Sequence, residues 1–249
     1  MFTLRPAATP PPAAAVTPAA ALTIGATAAA LLAVLAVEPP AVSAGPPATT
    51  TPTVVDVPSR PAFVRPPGRS EAAARTGQSL PLQSLLRTEK PGRMQVRLPD
   101  GRSFRLGGNA LLRLAGSSLD LQRGQIIAWV NPGSPAGAPL RVRTRVGTAS
   151  IVGTTVFIEA SDEAVKIFSW EGTVRMDTDT GKTVMLTSGE QLSHESAPTT
   201  AGASPGWQPL RRLSRSELDT RRARSILLNG FDAPMETLPV IEKELGFSR

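Results

Sequence analysis

The sequence predicts an all-β core, and three observations carry that reading. Apolar and polar residues alternate through Leu140 to Gln191: Val142, Thr144 and Val146, then Val156 and Ile158, Val165 and Ile167, Val174 and Met176, Val184 and Leu186. A period of two places one such set on one face of a sheet. Gly147, Gly153, Gly172, Gly181 and Gly189 separate the runs, as turns and close backbone approaches require. From Leu80 onward strand-like runs recur roughly every 8 to 12 residues, with turn residues between them and no βαβ pattern. The expected architecture is a β-solenoid or a sandwich-like sheet, with a short α-helical C-terminal appendage and a disordered N-terminal region.

Residues 1–44 read as a signal peptide or signal anchor. Met1 to Pro18 carries one charge, Arg5, and too few large apolar residues to fold. Residues 19–37 are uncharged. As a helix they would span about 28 Å, close to the ~30 Å hydrocarbon core of a bilayer. Val42-Ser43-Ala44-Gly45 fits a signal-peptidase cut after Ala44. Cleavage and retention as an anchor both stay open, and both put the folded part beyond a membrane. Residues 45–79 are rich in Pro, Thr and Ala without apolar periodicity and read as an extended linker.

The β domain is expected over 80–193. Met94, Val96 and Leu98 alternate, and Pro99-Asp100-Gly101 makes a tight turn, because proline presets φ and glycine accepts the left-handed position. Gly107-Gly108-Asn109 reads as a further turn, and Leu119 with Leu121 as another strand pair. Ile126-Ile127-Ala128-Trp129-Val130 is apolar at every position, the mark of a central strand. Leu121 to Gln125 weakly echoes Leu186 to Glu190, and Trp170 to Val174 more loosely, too little to establish a repeat.

Residues 194–249 form a second linker and a helical tail. Ser214-Arg215-Ser216-Glu217 is a capping box, a helix is expected over Arg215 to Leu228 with Glu217 paired to Arg221, and Asn229-Gly230 stops it. Leu238, Val240, Ile241, Leu245 and Phe247 form a second apolar run. Two expectations stand side by side. The tail arginines, Arg211, Arg212, Arg215, Arg221, Arg222 and Arg224, dock on an anionic partner or membrane, or the helix folds back on the β domain with its charges solvated.

Composition narrows the chemistry. The 249 residues include 25 prolines, no cysteine, no tyrosine and a single histidine, His194. Disulfides and thiolate-held metals are excluded, and the usual general acid–base residue is nearly missing. The net charge of +7 is spread thinly. Residues 81–193 hold 14 basic against 10 acidic side chains, and 194–249 hold 8 against 7. No phosphate loop, catalytic triad or calcium loop can be assembled, so neither catalysis nor a cofactor is expected. Nucleic acid is not expected as a partner, since no aromatic stacking platform is evident.

With these residues in place, the chain resembles the FecR domain family of bacterial envelope proteins. The resemblance rests on Leu98 to Leu106 with Asn109 to Leu114, then Leu121 to Val130, Val142-Arg143-Thr144, Val152 to Ile158, Val165 to Val174 with Glu171-Gly172, and Val184 to Gln191. It spans roughly Leu82 to Leu192. It implies a β-rich domain in the periplasm or at the cell surface. One branch of the family consists of single-span anti-sigma regulators with a helical segment in the cytoplasm. With only the proline-rich Met1 to Pro18 ahead of the apolar run, the expectation here is a FecR-like chain without that segment. Its role is then to bind or scaffold an envelope protein or a glycan, with membrane association through 19–37. The alternative is a transmembrane signalling regulator.

The candidate binding residues are Trp129, Trp170 and Glu171. An aromatic at a sheet edge can stack on a sugar and a carboxylate can meet a ligand, but the same residues also suit a core position and a hairpin turn. Asp100, Gly101, Gly153, Thr154, Gly172 and Gly189 are expected to serve structure, at turns and close approaches.

Overall fold

A computed structural model describes residues 51–131, 138–197 and 204–247. The segment read as signal or anchor, with its apolar run 19–37, lies outside the described residues. Among the described residues no helix is long and apolar enough to cross a membrane.

The chain forms a 16-stranded sheet folded over on itself. Two long strands make the fold: β6 (Arg102–Ala115) and β7 (Ser118–Val130), joined as a hairpin. Their first and second halves belong to different layers. Arg102 to Gly107 pairs with Gln125 to Val130, while Leu111 to Ala115 pairs with Ser118 to Arg123, and the register slips between. Gly107-Gly108-Asn109 is therefore a bulge inside one strand and not the turn expected from sequence. The bulge bends both strands, as corners of sandwiches do. Gly124 faces it with φ +90°, where a Cβ would lie 2.2 Å from Ala110 Cα. Only glycine fits there.

The first layer adds β1 (Thr53–Ser59) and β5 (Arg93–Arg97) on one side of β6, and β10 (Thr155–Ala160), β11 (Ala164–Glu171) and β14 (Glu190–Glu195) on the other side of β7. Short strands β15 (Gly206–Trp207) and β16 (Arg211–Arg212) finish it beside β14. The second layer adds β2 (Ala62–Arg65), β3 (Ala72–Ala73) and β4 (Leu85–Thr88) next to β6. Beyond β7 it continues as β8 (Leu140–Thr144), β9 (Gly147–Ile151), β12 (Val174–Thr178) and β13 (Thr183–Leu186). The β7–β8 pair is parallel and the rest are antiparallel. The two layers share one core. Phe104, Ile126, Val156 and Ile167 come from the first, and Leu86, Leu112, Val142, Ile151 and Met176 from the second. Of the two expected architectures, the sandwich-like one is formed.

The stretch read as linker holds three strands of this sheet, β1, β2 and β3. Val54, Ala62, Val64, Ala74 and Leu80 are all buried in the shared core. Pro58 is tolerated because β1 lies at the margin of the sheet, where a missing N–H breaks no ladder. The three segments that echo each other in sequence take unlike places: Gly124 in the bulge, Gly172 between layers and Gly189 in the turn before β14. They are not repeats.

Candidate binding groove

The outer face of the first layer is built in rows. Across β6, β7, β10, β11, β14 and β16, residues Arg105, Ile127, Phe157, Phe168, Gln191 and Arg211 stand in register. A second row holds Gln125, Glu159 and Lys166. The central strand is apolar on both faces for this reason: Ile126 and Ala128 point into the main core, and Ile127 and Trp129 into a second one.

The C-terminal tail covers that second core. Helices α1 (Arg215–Arg224), α2 (Ile226–Asn229) and α3 (Leu238–Glu244) bring Leu218, Leu227, Leu228 and Ile241 against Ile127, Trp129, Phe168 and Trp170. The capping box at Ser214 and Glu217 is formed. The single helix expected over Arg215 to Leu228 is broken at Ser225, which is extended and caps α2 through its Oγ. The break turns Leu227 and Leu228 inward. Glu217 bonds Arg211 and Ser214, so the expected Glu217–Arg221 pair does not form. The i,i+4 pair is Arg215–Asp219.

Polar clamps fasten the tail. Arg105, 1 % exposed, donates to Gln95 Oε1 at 2.7 Å, to the carbonyls of Leu227 at 2.8 Å and Leu228 at 3.2 Å, and to that of Ala233 at 2.7 Å. Its guanidinium also lies over the rings of Phe231 and Trp129. Burial lowers its pKa to about 10 against the pull of Asp56 and Glu236, so it stays charged at neutral pH. Asp56 Oδ2 accepts the N–H groups of Asp232 and Ala233, both at 2.9 Å. Glu236 accepts from Trp129 Nε1 at 3.0 Å and from Arg97 at 3.3 Å. Glu244 accepts from the Gly172 N–H at 2.9 Å and from Ser188. In the alternating run Phe104-Arg105-Leu106, Arg105 occupies the polar position that sequence assigns to solvent. The covering tail is more than 120 residues away in the chain, and no local signal reveals it.

The sequence-predicted residues fall as follows. Trp129 and Trp170 are buried under the tail. Glu171 is 4 % exposed. Burial raises its carboxyl to about 7, the Thr155 hydrogen bond opposes this, and the charge of Glu244 adds to it. Thr155 Oγ1 stands 2.9 Å from Glu171 Oε1 and 2.8 Å from Thr237 Oγ1. Thr155 is the donor to Glu171, and since a hydroxyl has one proton it can serve only one of these two contacts at a time. Glu171-Gly172 is not a hairpin turn. β11 and β12 lie in different layers, and Gly172, at φ +68°, carries the chain across. Gly153-Thr154 makes the neighbouring crossing from β9 to β10, and Thr154 Oγ1 donates to the Glu171 carbonyl. Asp100 and Gly101 form the β5–β6 turn, and Gly189 donates to the Ser169 carbonyl and accepts from Leu213 N. The structure thus brings Glu171, Gly172, Thr154 and Gly189 to one end of the first layer and leaves Asp100 and Gly101 elsewhere.

Between α1 and the sheet a groove of about 960 Å³ remains. Phe157 and Trp170 lie along its floor, and Leu213, Ile226 and Leu227 along its wall. Six cations line it (Lys90, Arg93, Lys166, Arg211, Arg221 and Arg224) against two carboxylates, Glu159 and Glu217. Among the described residues no three side chains of His, Asp, Glu or Cys gather as metal ligands. His194 stacks edge-on against Trp207, and Asp179 accepts from the Trp207 indole, so neither approaches the groove's lining.

A two-layered β fold strapped by its own C-terminal tail is the class of protein defined here. Residues 84–175 match the family model described as FecR protein. A comparison with curated proteins gives no match. Two solved structures are similar in part, both described as proposed anti-sigma factors of Parabacteroides distasonis. One is 17 % identical with a TM-score of 0.46, covering 59 % of this chain and 66 % of its own. The other is 18 % identical with a TM-score of 0.43, covering 55 % and 61 %. The alignments thus span less than two thirds of either structure.

Proposed function

We propose that this chain is a non-enzymatic FecR-type module of the bacterial envelope, regulatory in the manner of its domain family, that works by binding through the groove beside α1. The observation that carries this reading is the groove's surplus of cations over an aromatic floor: six basic side chains line it against two carboxylates, and one of those, Glu217, is paired with Arg211. The side chains around it supply no nucleophile paired with a base. A photo-crosslinking side chain placed at Arg224 and, as a control, at Arg69 before β3 tests it in whole cells. A discrete adduct from position 224 only, traced to an envelope component, is expected. Equal labelling from both positions removes the groove as the binding face.

A second reading, a single-pass signalling regulator, is favoured by the uncharged run 19–37. The mass and N-terminal sequence of the fractionated native protein decide between them. A start at Gly45 in a soluble envelope fraction leaves the binding module alone. An uncut chain in the membrane fraction gives the regulator its anchor.

A further inference from the structure

We propose that the groove beside α1 holds an amphiphilic oxyanion, a carboxylate on an apolar chain, with Arg221 as its anchor. This rests on the reading of the groove as the binding face. Arg221 projects from α1 onto the sheet. Its guanidinium carbon lies 4.5 Å from the ring centroid of Phe168 and 5.5 Å from that of Phe157. One of its nitrogens donates to Gln191 Oε1 at 2.5 Å. It enters no ion pair among the described residues, and Glu159 and Glu217 act on it only at longer range. A guanidinium has five N–H donors, and one hydrogen bond, to Gln191, leaves most of this half-buried fork free to meet a ligand. The geometry of the fork suits a carboxylate held through two parallel bonds.

The surroundings match such a ligand at both ends. Lys166 and Arg224 line the same groove without a carboxylate partner among the described residues, and Glu217 is already taken by Arg211. The apolar part of the lining is Phe157 and Trp170 below and Leu213, Leu227 and the half-exposed Ile226 beside, with glutamine, serine and threonine side chains among them. Trp170 Nε1 is buried without a hydrogen-bond partner, which leaves an indole donor unpaired in a residue of the lining. A neutral glycan would leave the cations idle, and a purely polar polyanion would leave the apolar lining wet. A volume of about 960 Å³ lies at the upper end of the roughly 300–1,000 Å³ of ligand clefts. The occupant is a free fatty acid, and the phosphate surface of an anionic membrane is a competing outcome of the test.

The intact chain is titrated with sodium dodecanoate below its micellar concentration, read by tryptophan emission and by thermal shift. Acetate, dodecyl maltoside, phosphatidylglycerol vesicles and an acidic hexapeptide run in parallel. Saturable binding of one dodecanoate is expected, with acetate and the maltoside weaker by about tenfold or more. Arg221→Met, which keeps the apolar stem over Phe168, is expected to weaken dodecanoate at least about tenfold. Should that variant fail to fold, Lys166→Ala with Arg224→Ala, both at the rim, is expected to weaken it several-fold and to flatten its salt dependence. Equal binding of dodecanoate and the maltoside, or no effect of either variant, overturns the proposal. So does binding of vesicles alone or of the peptide alone. If dodecanoate fails while the crosslink from position 224 persists, the ligand class falls and the binding module stands. If both fail, both fall.

Discussion

Arg105→Met should detach the C-terminal tail while leaving the sandwich folded. The wild-type side chain holds three main-chain carbonyls of the tail, those of Leu227, Leu228 and Ala233, and joins them to Gln95 in β5. Methionine retains an apolar contact with Trp129 and Phe231, so little cavity is added. What is lost is the charged donor. Hydrogen bonds to charged groups contribute about 1.5–3 kcal/mol each, but these four share one guanidinium and do not add. Breaking a buried charged network costs about 3–5 kcal/mol. At about 1.4 kcal/mol per factor of ten, the equilibrium for tail docking falls by roughly two to three and a half orders of magnitude. Hydrogen exchange of the amides in 226–241 measures this directly, since local opening controls their protection. Tryptophan emission should shift to the red as Trp129 and Trp170 meet water. Unchanged protection in 226–241 together with lower global stability would refute the clamp and make Arg105 a support of the sheet alone.

Three further outcomes follow from the same contacts. Glu171 has a folded pKa of about 7 against an ordinary value of 4.5, so its ionisation opposes the fold. Stability is full below pH 4.5, falls between 4.5 and 7, and levels off above. In a pH series of urea melts, Glu171→Gln should therefore match wild type at pH 4 and exceed it at pH 8 by up to about 3 kcal/mol. Equal melts at pH 8 would sink the buried-carboxyl assignment. Gly124→Ala should destabilise by more than about 2 kcal/mol, because it adds a clash with Ala110 to a left-handed φ, whereas Gly181→Ala, with φ +78° and open space around it, should cost about 1–2 kcal/mol. Similar thermal shifts for the two would remove the close approach as the reason for the bend. Asp56→Ala should cost about 1–3 kcal/mol by leaving the Asp232 and Ala233 amides unpaired, and faster exchange at those two positions is the measurement.

Much of the fold was legible in the chain. Alternation marked β8 to β14, and the residues assigned to one face there, Val156, Ile158, Val165 and Ile167, do share one core. The all-apolar run at Ile126 to Val130 marked the central strand, since apolar side chains at successive strand positions imply cover on both faces. The capping box and Asn229-Gly230 marked real helix ends, because caps are local chemistry. The strands of 53–73 were hidden by their prolines, which resemble a linker until a neighbouring strand pairs with them. Gly107-Gly108-Asn109 read as a turn because a bulge uses the same residue types, and only the partner strand distinguishes the two.

The groove was the least legible part. In sequence Arg211, Arg221 and Arg224 read as part of a basic tail, but Arg221 gains its meaning only from Phe157, Phe168 and Gln191, which stand on three strands. Local sequence determined where many of the strands and helices start and which residues face the core, since periodicity and capping act over a few residues. Tertiary structure alone decided which layer each strand joins, that Arg105, Asp56 and Glu236 hold the tail, and that a cation comes to rest on an aromatic floor. Those outcomes depend on pairings between segments up to 177 residues apart. The free energy that selects them belongs to the assembled surface and not to any one stretch of chain.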